Sequence, residues 1–170
     1  MYQTWPAMHS MLADPAVFPK EVVVIRIQGG KQYTAQDHQQ LFQDAGMPLA
    51  RELADAYIGF IQFATPEFYP NVDIYVEKGS GISTLAGVEL KELKVATHAS
   101  NVSKPLWRDG DGEIEDIAND SIRVWEKMPC YHFEFNDNPG VGHGLLPYNS
   151  DVLQRLLTHL RQPRSVCPSK

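Results

Sequence analysis

LWRDGDGEI, residues 106–114, is the stretch that decides how this chain folds. Its centre, residues 109–112, is a run of turn formers between a short apolar approach and a patterned helix, which is typical of the C-terminal end of a strand. A second apolar run, residues 131–135, leads to another turn-rich loop that carries His143, and a second patterned helix follows. The sequence therefore predicts the order strand, Asp loop, helix, strand, His loop, helix.

The two loops are predicted to meet. If both strands belong to one parallel sheet, the right-handed crossover rule places both loops at the same carboxyl edge, where α/β sheets bind ligands. A carboxylate from residues 109–112 then faces the imidazole of His143, which would orient a catalytic histidine and stabilise its charged form. The predicted fold class is therefore α/β, with a candidate Asp–His pair whose nucleophile is missing.

Each loop also has a simpler interpretation. A run of Asp and Gly is often only a turn, and a histidine between glycines is often an ordinary loop residue. A calcium loop that starts at Asp109 is excluded because Ile114 falls where glycine is required. The presence of both loops, each at the end of a predicted strand, favours a catalytic function, because Asp followed by His is the chain order in α/β-hydrolases. The other histidines lack this context and are interpreted as structural or solvated: His9, His38, His98, His132 and His159.

No nucleophile elbow, Gly-x-Ser-x-Gly, is present. The nearest approach is GISTL, residues 81–85, which has a bulky leucine where a small residue is needed, so Ser83 is a weaker candidate. Cys130 precedes a predicted strand and Cys167 lies in the tail, so neither cysteine is favoured as a nucleophile. Residues 79–81, GSG, resemble a phosphate-binding turn but lack a third glycine and a following helix.

Composition narrows the class of protein. A length of 170 residues suits one domain, and equally half of a larger one. The net charge of −6, without a basic block, argues against a nucleic-acid partner. No apolar run of about 18 residues predicts a membrane span, and the N-terminus lacks the pattern of a signal peptide. Two cysteines are too few for a disulfide scaffold, so the compartment is not set by cysteine usage.

The other segments follow helix and strand patterns. Residues 1–20 are apolar but irregular, which indicates a segment that needs a neighbour to cover it. Residues 84–103 are polar and weakly patterned, and they are predicted to be a surface excursion. Strands are predicted at residues 22–27, 72–76, 104–107 and 131–135, and helices over residues 34–46, behind a capping box, and 48–64.

The helices after the two loops are predicted to face the core. The final helix is expected to be capped by Asn149 or Ser150. The first helix would present Ile117, Val124, Trp125 and Met128, and the final one Val152, Leu153, Leu156, Leu157 and Leu160.

The chain resembles the C-terminal half of the lecithin:cholesterol acyltransferase family, which includes lysosomal phospholipase A2 and phospholipid:diacylglycerol acyltransferases. Four stretches carry the resemblance in the family's order and cover almost the whole chain. They are residues 4–46, with TWP, the first strand and YTAQDHQQLFQDAG; residues 71–84, with NVDIY and GSGIST; DGDG at 109–112; and GHGLL at 142–146 with Asn149.

The resemblance implies a single partial α/β-hydrolase domain over residues 1–170. In it, residues 21–70 would be a lid- or cap-side segment, residues 71–162 the two loop-bearing units and residues 163–170 a tail. The family's catalytic aspartate falls on Asp111, because an aliphatic residue, Ile114, follows three positions on, and its histidine falls on His143. The implied activity is transfer of an acyl group from a phospholipid to a sterol, another alcohol or water, without a metal or organic cofactor. A membrane or lipoprotein surface would be a partner, and the compartment would be secretory, lysosomal or extracellular.

The chain departs from the family pattern at three points. Glu113 stands where the family commonly has threonine, and a pair of cysteines near Tyr75 and Ser121 is absent. The half with the lid, the oxyanion donors and the serine is not in the sequence, so the chain alone is expected to be inactive. The alternatives are a non-catalytic member that binds lipid or a partner through residues such as Trp5, Phe18 and Trp107, or an unrelated small α/β domain.

Overall fold

The computed structural model describes residues 13–61, 73–93, 101–127 and 132–162. The strands are β1 (Val23–Ile27), β2 (Gln32–Thr34), β3 (Ile74–Ser80), β4 (Ile82–Leu90), β5 (Val102–Gly110) and β6 (Phe133–Pro139). The α-helices are α1 (His38–Asp44), α2 (Pro48–Ile61), α3 (Asp116–Asp120) and α4 (Ser150–Arg161). Three 3₁₀ segments cover Ala35–Asp37, Ser121–Lys127 and His143–Tyr148. None of the described helices is long and apolar enough to cross a membrane.

The chain forms two compact units. The first contains Met1–Ala64 and Ala86–Trp107, and the second contains Thr65–Leu85 and Arg108–Lys170. The chain therefore passes from one unit to the other within β4 and again within β5. The mixed α/β class is confirmed, whereas the single hydrolase domain stays a prediction.

The first unit is built on the predicted β-branched strand. β1 pairs antiparallel with β2 and parallel with β4, in a sheet of order β2-β1-β4-β5. The predicted capping box is present: the Asp37 carboxylate accepts a hydrogen bond from the Thr34 amide at 2.9 Å, and the Thr34 side chain accepts one from the Asp37 backbone. α1 ends before Gly46, whose φ of +67° needs glycine, and α2 follows as predicted.

The surface excursion predicted for residues 84–103 is wrong, because this segment contains most of β4 and the start of β5. In β4 the buried positions are taken by small residues, Thr84 and Ala86, while Leu85 is 53% exposed. A strand with small residues inside and a large apolar residue outside gives no ordinary alternation of hydrophobicity. The hydrophobic pattern of the sequence therefore does not reveal β4 as a strand.

The second unit is a parallel pair of strands with a helix on each face. β3 and β6 pair from Ile74 with Phe133 to Ser80 with Pro139. Glu77 points to α4, where Arg155 binds its carboxylate through Nε at 2.8 Å and Nη2 at 2.7 Å. Lys78, the next residue, points to α3 on the opposite face. Strand β3 is longer than predicted, and the expected glycine turn is reduced to Gly81, with φ +74°.

The helix predicted after the Asp loop is only partly correct. α3 has five residues, and Ser121–Lys127 is 3₁₀. With three residues per turn, a spacing of seven or eight no longer lines side chains up on one face. Val124 is accordingly 54% exposed, and Met128 lies outside the described residues.

The final helix has the predicted cap but a different buried face. The Asn149 side chain accepts hydrogen bonds from the amides of Asp151 at 3.0 Å and Val152 at 3.2 Å. Against the sheet lie Val152, Arg155 with its ion pair, and His159, which stacks on Tyr75 at 3.8 Å. The predicted core contribution of the leucines is wrong, since their exposed fractions are 41% for Leu153, 47% for Leu156, 47% for Leu157 and 74% for Leu160.

Candidate functional site

The candidate site begins where β5 ends. Asp111 follows Gly110, the last residue of β5, and only 2% of it is exposed. The loop after it is fastened to β4 by Thr84, a fully buried residue whose hydroxyl accepts a hydrogen bond from the Gly112 amide at 2.9 Å. The same hydroxyl donates to the Ile82 carbonyl at 2.9 Å. Thr84 therefore holds the residue after Asp111 against β4.

The Asp111 carboxylate accepts four hydrogen bonds, two at each oxygen. Oδ1 accepts from the main-chain amides of Glu113 at 3.0 Å and Ile114 at 2.8 Å. Oδ2 is paired with His143 Nδ1 at 2.8 Å and accepts from Asn119 Nδ2 at 3.3 Å. Since an ionised carboxylate can only accept, this geometry calls for a proton on Nδ1 of His143.

His143 is held at two points. It starts the 3₁₀ segment after β6, and its amide donates to the Asp111 carbonyl at 2.9 Å while its ring bonds to the Asp111 carboxylate. Its side chain is 41% exposed, and Nε2 has no hydrogen-bond partner within the described ranges. In the neutral imidazole with its proton on Nδ1, Nε2 carries the lone pair at the surface, which is the form that a general base requires.

The protonation of Asp111 is biased toward the carboxylate. Burial by itself would raise its pKa, but the hydrogen bonds from the Ile114 amide, His143, the Glu113 amide and Asn119 outweigh burial and lower the pKa below its usual value. The charged form is therefore available to orient His143 and to stabilise an imidazolium.

We expect this lowered pKa to appear as acid sensitivity. A carboxyl group whose pKa is lower in the folded than in the unfolded state stabilises the fold above its ordinary pKa of 3.8, and this stabilisation is lost as the pH falls through the folded value. The test is urea unfolding at a series of pH values below 3.8, where the slope of the unfolding free energy against pH reports the protons taken up on unfolding. In Asp111→Asn this uptake should be smaller than in wild type by up to one proton. Equal slopes for wild type and Asp111→Asn would contradict the assignment.

Gly79 allows the His loop to come close. A Cβ added at Gly79 would overlap the Val141 carbonyl oxygen and would lie 3.0 Å from Asp111 Cβ. The loop that delivers His143 therefore passes directly over β3 at a position that only glycine can occupy. The sequence indicated only a weak match of residues 79–81 to a phosphate-binding turn, and because the strand was predicted to end at residue 76, this role of Gly79 was not foreseen.

The other predicted candidates are not joined to this pair. Ser83 is exposed on β4, and no hydrogen bond links it to His143 in the part of the chain described. Cys130 and Cys167 lie outside the described residues. Glu113 is close to the His loop, since its Oε1 lies 4.0 Å from the Cβ position at Gly144. The described residues contain no group of three or more side chains suited to hold a metal ion.

The expected reason for the meeting of the two loops differs from the observed one. The predicted meeting of the loops depended on the condition that the strands before them share one parallel sheet, but β6 pairs with β3 and β5 is a strand of the other sheet. The residues are still brought together, at 2.8 Å. Asn119 and Thr84 were not predicted as site residues, because their contacts to Asp111 and its loop depend on the folded structure.

Comparison with protein-family models and with curated proteins finds no match to this chain. The resemblance to the lecithin:cholesterol acyltransferase family therefore rests on the sequence motifs alone.

Proposed function

We propose that the chain carries the acid–base part of a serine-dependent lipid acyltransferase or phospholipase of the lecithin:cholesterol acyltransferase type, with an α/β-hydrolase fold. Asp111 would be the orienting acid and His143 the general base, and the serine would come from outside this chain. The observation that supports the proposal best is the 2.8 Å contact of His143 Nδ1 with the buried Asp111 carboxylate, with Nε2 left free on a side chain that is 41% exposed.

The chemistry follows from the roles of the two ring nitrogens. His143 Nε2 takes the proton of a serine hydroxyl while the serine oxygen bonds to the acyl carbon of an ester. The tetrahedral intermediate collapses, the ester C–O bond breaks, and the departing alkoxide takes the proton from Nε2. An acceptor alcohol or water then repeats the two steps on the acyl-serine. Asp111 keeps the Nδ1 proton in place and stabilises the imidazolium in each half-reaction.

The proposed substrates come from the family resemblance. The acyl donor would be a phospholipid, and the acceptor a sterol, another alcohol or water. No metal or organic cofactor enters this mechanism. The partners would be a membrane or lipoprotein surface, and no nucleic acid is proposed.

A serine-reactive probe tests the proposal. The reading frame upstream of Met1 should encode an in-frame Gly-x-Ser-x-Gly, and protein made from the extended frame should bind a fluorophosphonate covalently at that serine. Labelling should be lost in His143→Ala, because the serine then lacks its base, and should persist in the control His132→Ala, whose ring is exposed. An upstream region without such a motif, or labelling that does not depend on His143, would contradict the proposal.

The 170-residue chain alone is expected to show no ester turnover, because it lacks the proposed nucleophile and oxyanion donors. Esterase turnover by the purified chain that disappears in His143→Ala would overturn this expectation and would return Ser83 to consideration.

A non-catalytic lipid- or partner-binding protein is the second candidate. Exposed apolar side chains favour it: Leu145 is 63% exposed and Tyr148 81%, and both lie in the 3₁₀ segment that His143 begins. Trp107, one of the residues expected to serve in binding, is 57% exposed, but Phe18 is buried and Trp5 lies outside the described residues. Binding to phosphatidylcholine vesicles that is unchanged by His143→Ala, together with no probe labelling of the extended protein, would favour this function.

A further inference from the structure

Asn119 is the one side chain besides His143 that binds Oδ2 of Asp111 within the described residues. The bonds to Oδ1 come from main-chain amides of the same loop, whereas Asn119 acts on the oxygen that contacts His143. The Asn119 amide is an uncharged donor, so its hydrogen bond does not depend on pH. Its Nδ2 also lies 3.5 Å from the Ile114 carbonyl oxygen, and this second contact keeps the amide oriented. The position of Asn119 therefore bears directly on the Asp111–His143 contact.

Asn119 lies on a helix that cannot be stable by itself. α3 has five residues, none of them buried, and an isolated helix of this length does not form in water. Something else must hold α3 at the sheet. Among the described contacts, Arg108 forms an ion pair with Glu115 just before α3, and Lys78 of β3 forms ion pairs with residues of α3 itself.

Lys78 holds both ends of α3. Its Nζ donates a hydrogen bond to Asp120 Oδ1 at 2.8 Å and forms an ion pair with Asp116 Oδ1 at 3.0 Å. These two aspartates are four residues apart, on one face of the helix, and Asn119 lies between them. Lys78 is only 7% exposed, and Phe135 covers it, with its ring centroid 5.9 Å from Nζ.

The charge on Lys78 is retained despite burial. Burial lowers the pKa of its ammonium group, but the interactions with Asp120 and Asp116 outweigh burial and raise the pKa above its usual value. If α3 moved away, the buried ammonium group would lose its two carboxylate partners, and an unpaired buried charge is strongly unfavourable. Lys78 therefore holds α3 in place.

We infer that Lys78 and Asn119 are positioning residues for the candidate acid–base pair: Lys78 fixes α3 on β3, and α3 thereby holds the Asn119 amide against Asp111 Oδ2. This inference rests on the proposed function for its catalytic meaning. The hydrogen bond between His143 and Asp111 can be measured in the chain without any enzymatic activity.

The test follows the Nδ1 proton of His143 by NMR in the full chain labelled with ¹⁵N. In wild type the proton should be visible and protected from exchange with water. Asn119→Ala and Lys78→Met should each raise its exchange rate about tenfold, as expected for the loss of roughly one supporting hydrogen bond. The matched control Lys127→Met, an exposed lysine in the 3₁₀ segment after α3, should leave the rate unchanged.

Two further readings separate positioning from general stability. The amide of Leu156 in α4 serves as an internal reference, because loss of overall stability would speed its exchange as well. The double variant should exchange no faster than Asn119→Ala alone, since both changes act through one contact.

The outcomes are distinct. An unchanged Nδ1 proton in Asn119→Ala, or equal acceleration of Nδ1 and Leu156 exchange in Lys78→Met, would overturn the positioning inference and leave the proposed function intact. If Lys78→Met does not fold, Asn119→Ala and Asp120→Asn decide the matter by the same measurement. Absence of a protected Nδ1 proton in wild type would instead count against the proposed function itself.

Discussion

Replacing Gly79 by alanine is expected to destabilise the protein by about 3 kcal/mol, because the added Cβ would overlap the Val141 carbonyl oxygen. The backbone of the His loop cannot yield without moving His143, and β3 cannot yield without disturbing its register with β6. The same Cβ would press on Asp111 at 3.0 Å. The loss of stability should be seen in urea unfolding, as a lower midpoint with an unchanged slope.

Gly144→Ala is the matched control for this change. Gly144 follows His143 directly, and among the described residues a Cβ there would meet Glu113 Oε1 alone, at 4.0 Å, so stability should change by no more than about 0.5 kcal/mol. Equal stability of Gly79→Ala and Gly144→Ala would show that the His loop does not pass over β3 as described.

Removal of the acid–base pair is expected to have the largest effect on activity. In the extended protein that bears the serine, His143→Ala should reduce kcat about a million-fold, since it removes the base that activates the nucleophile. Asp111→Asn should reduce kcat about ten-thousand-fold, because an amide would donate toward His143 and favour the wrong tautomer. Steady-state hydrolysis of a short-chain ester measures both.

The order of the two effects separates catalysis from folding. Asp111 is buried and His143 is half-exposed, so a purely structural role would make Asp111→Asn the more damaging change. Asp137→Asn and His132→Ala, at exposed positions of the same strand region, should retain full activity. Retention of ester turnover in His143→Ala would contradict the proposed mechanism.

The Asp–His meeting could be predicted from the sequence because its signals are local. Turn formers at residues 109–112 and the glycines beside His143 mark loops after strands, and both residues lie where such loops begin. The sheet that delivers them could not be predicted, since strand pairing depends on contacts between residues far apart in the chain. β6 accordingly pairs with β3 instead of with β5.

Polar contacts inside the structure explain the other differences. The leucines of α4 suggest a core-facing helix, but the bidentate Arg155–Glu77 pair turns a different face to the sheet. A charged pair between a helix and a strand leaves no periodic trace that a hydrophobic pattern can reveal. Lys78 is hidden in the same way, because a lysine in a strand usually indicates an exposed position.

The central claim is that buried Asp111 keeps the proton of neutral His143 on Nδ1 and leaves Nε2 free to act as a base. The ¹⁵N chemical shifts of the His143 ring, measured at mildly alkaline pH in the full chain, test it most directly. We predict an Nδ1–H tautomer in wild type and its loss in Asp111→Asn. An Nε2–H tautomer in wild type, or a tautomer that Asp111→Asn does not change, would contradict the account.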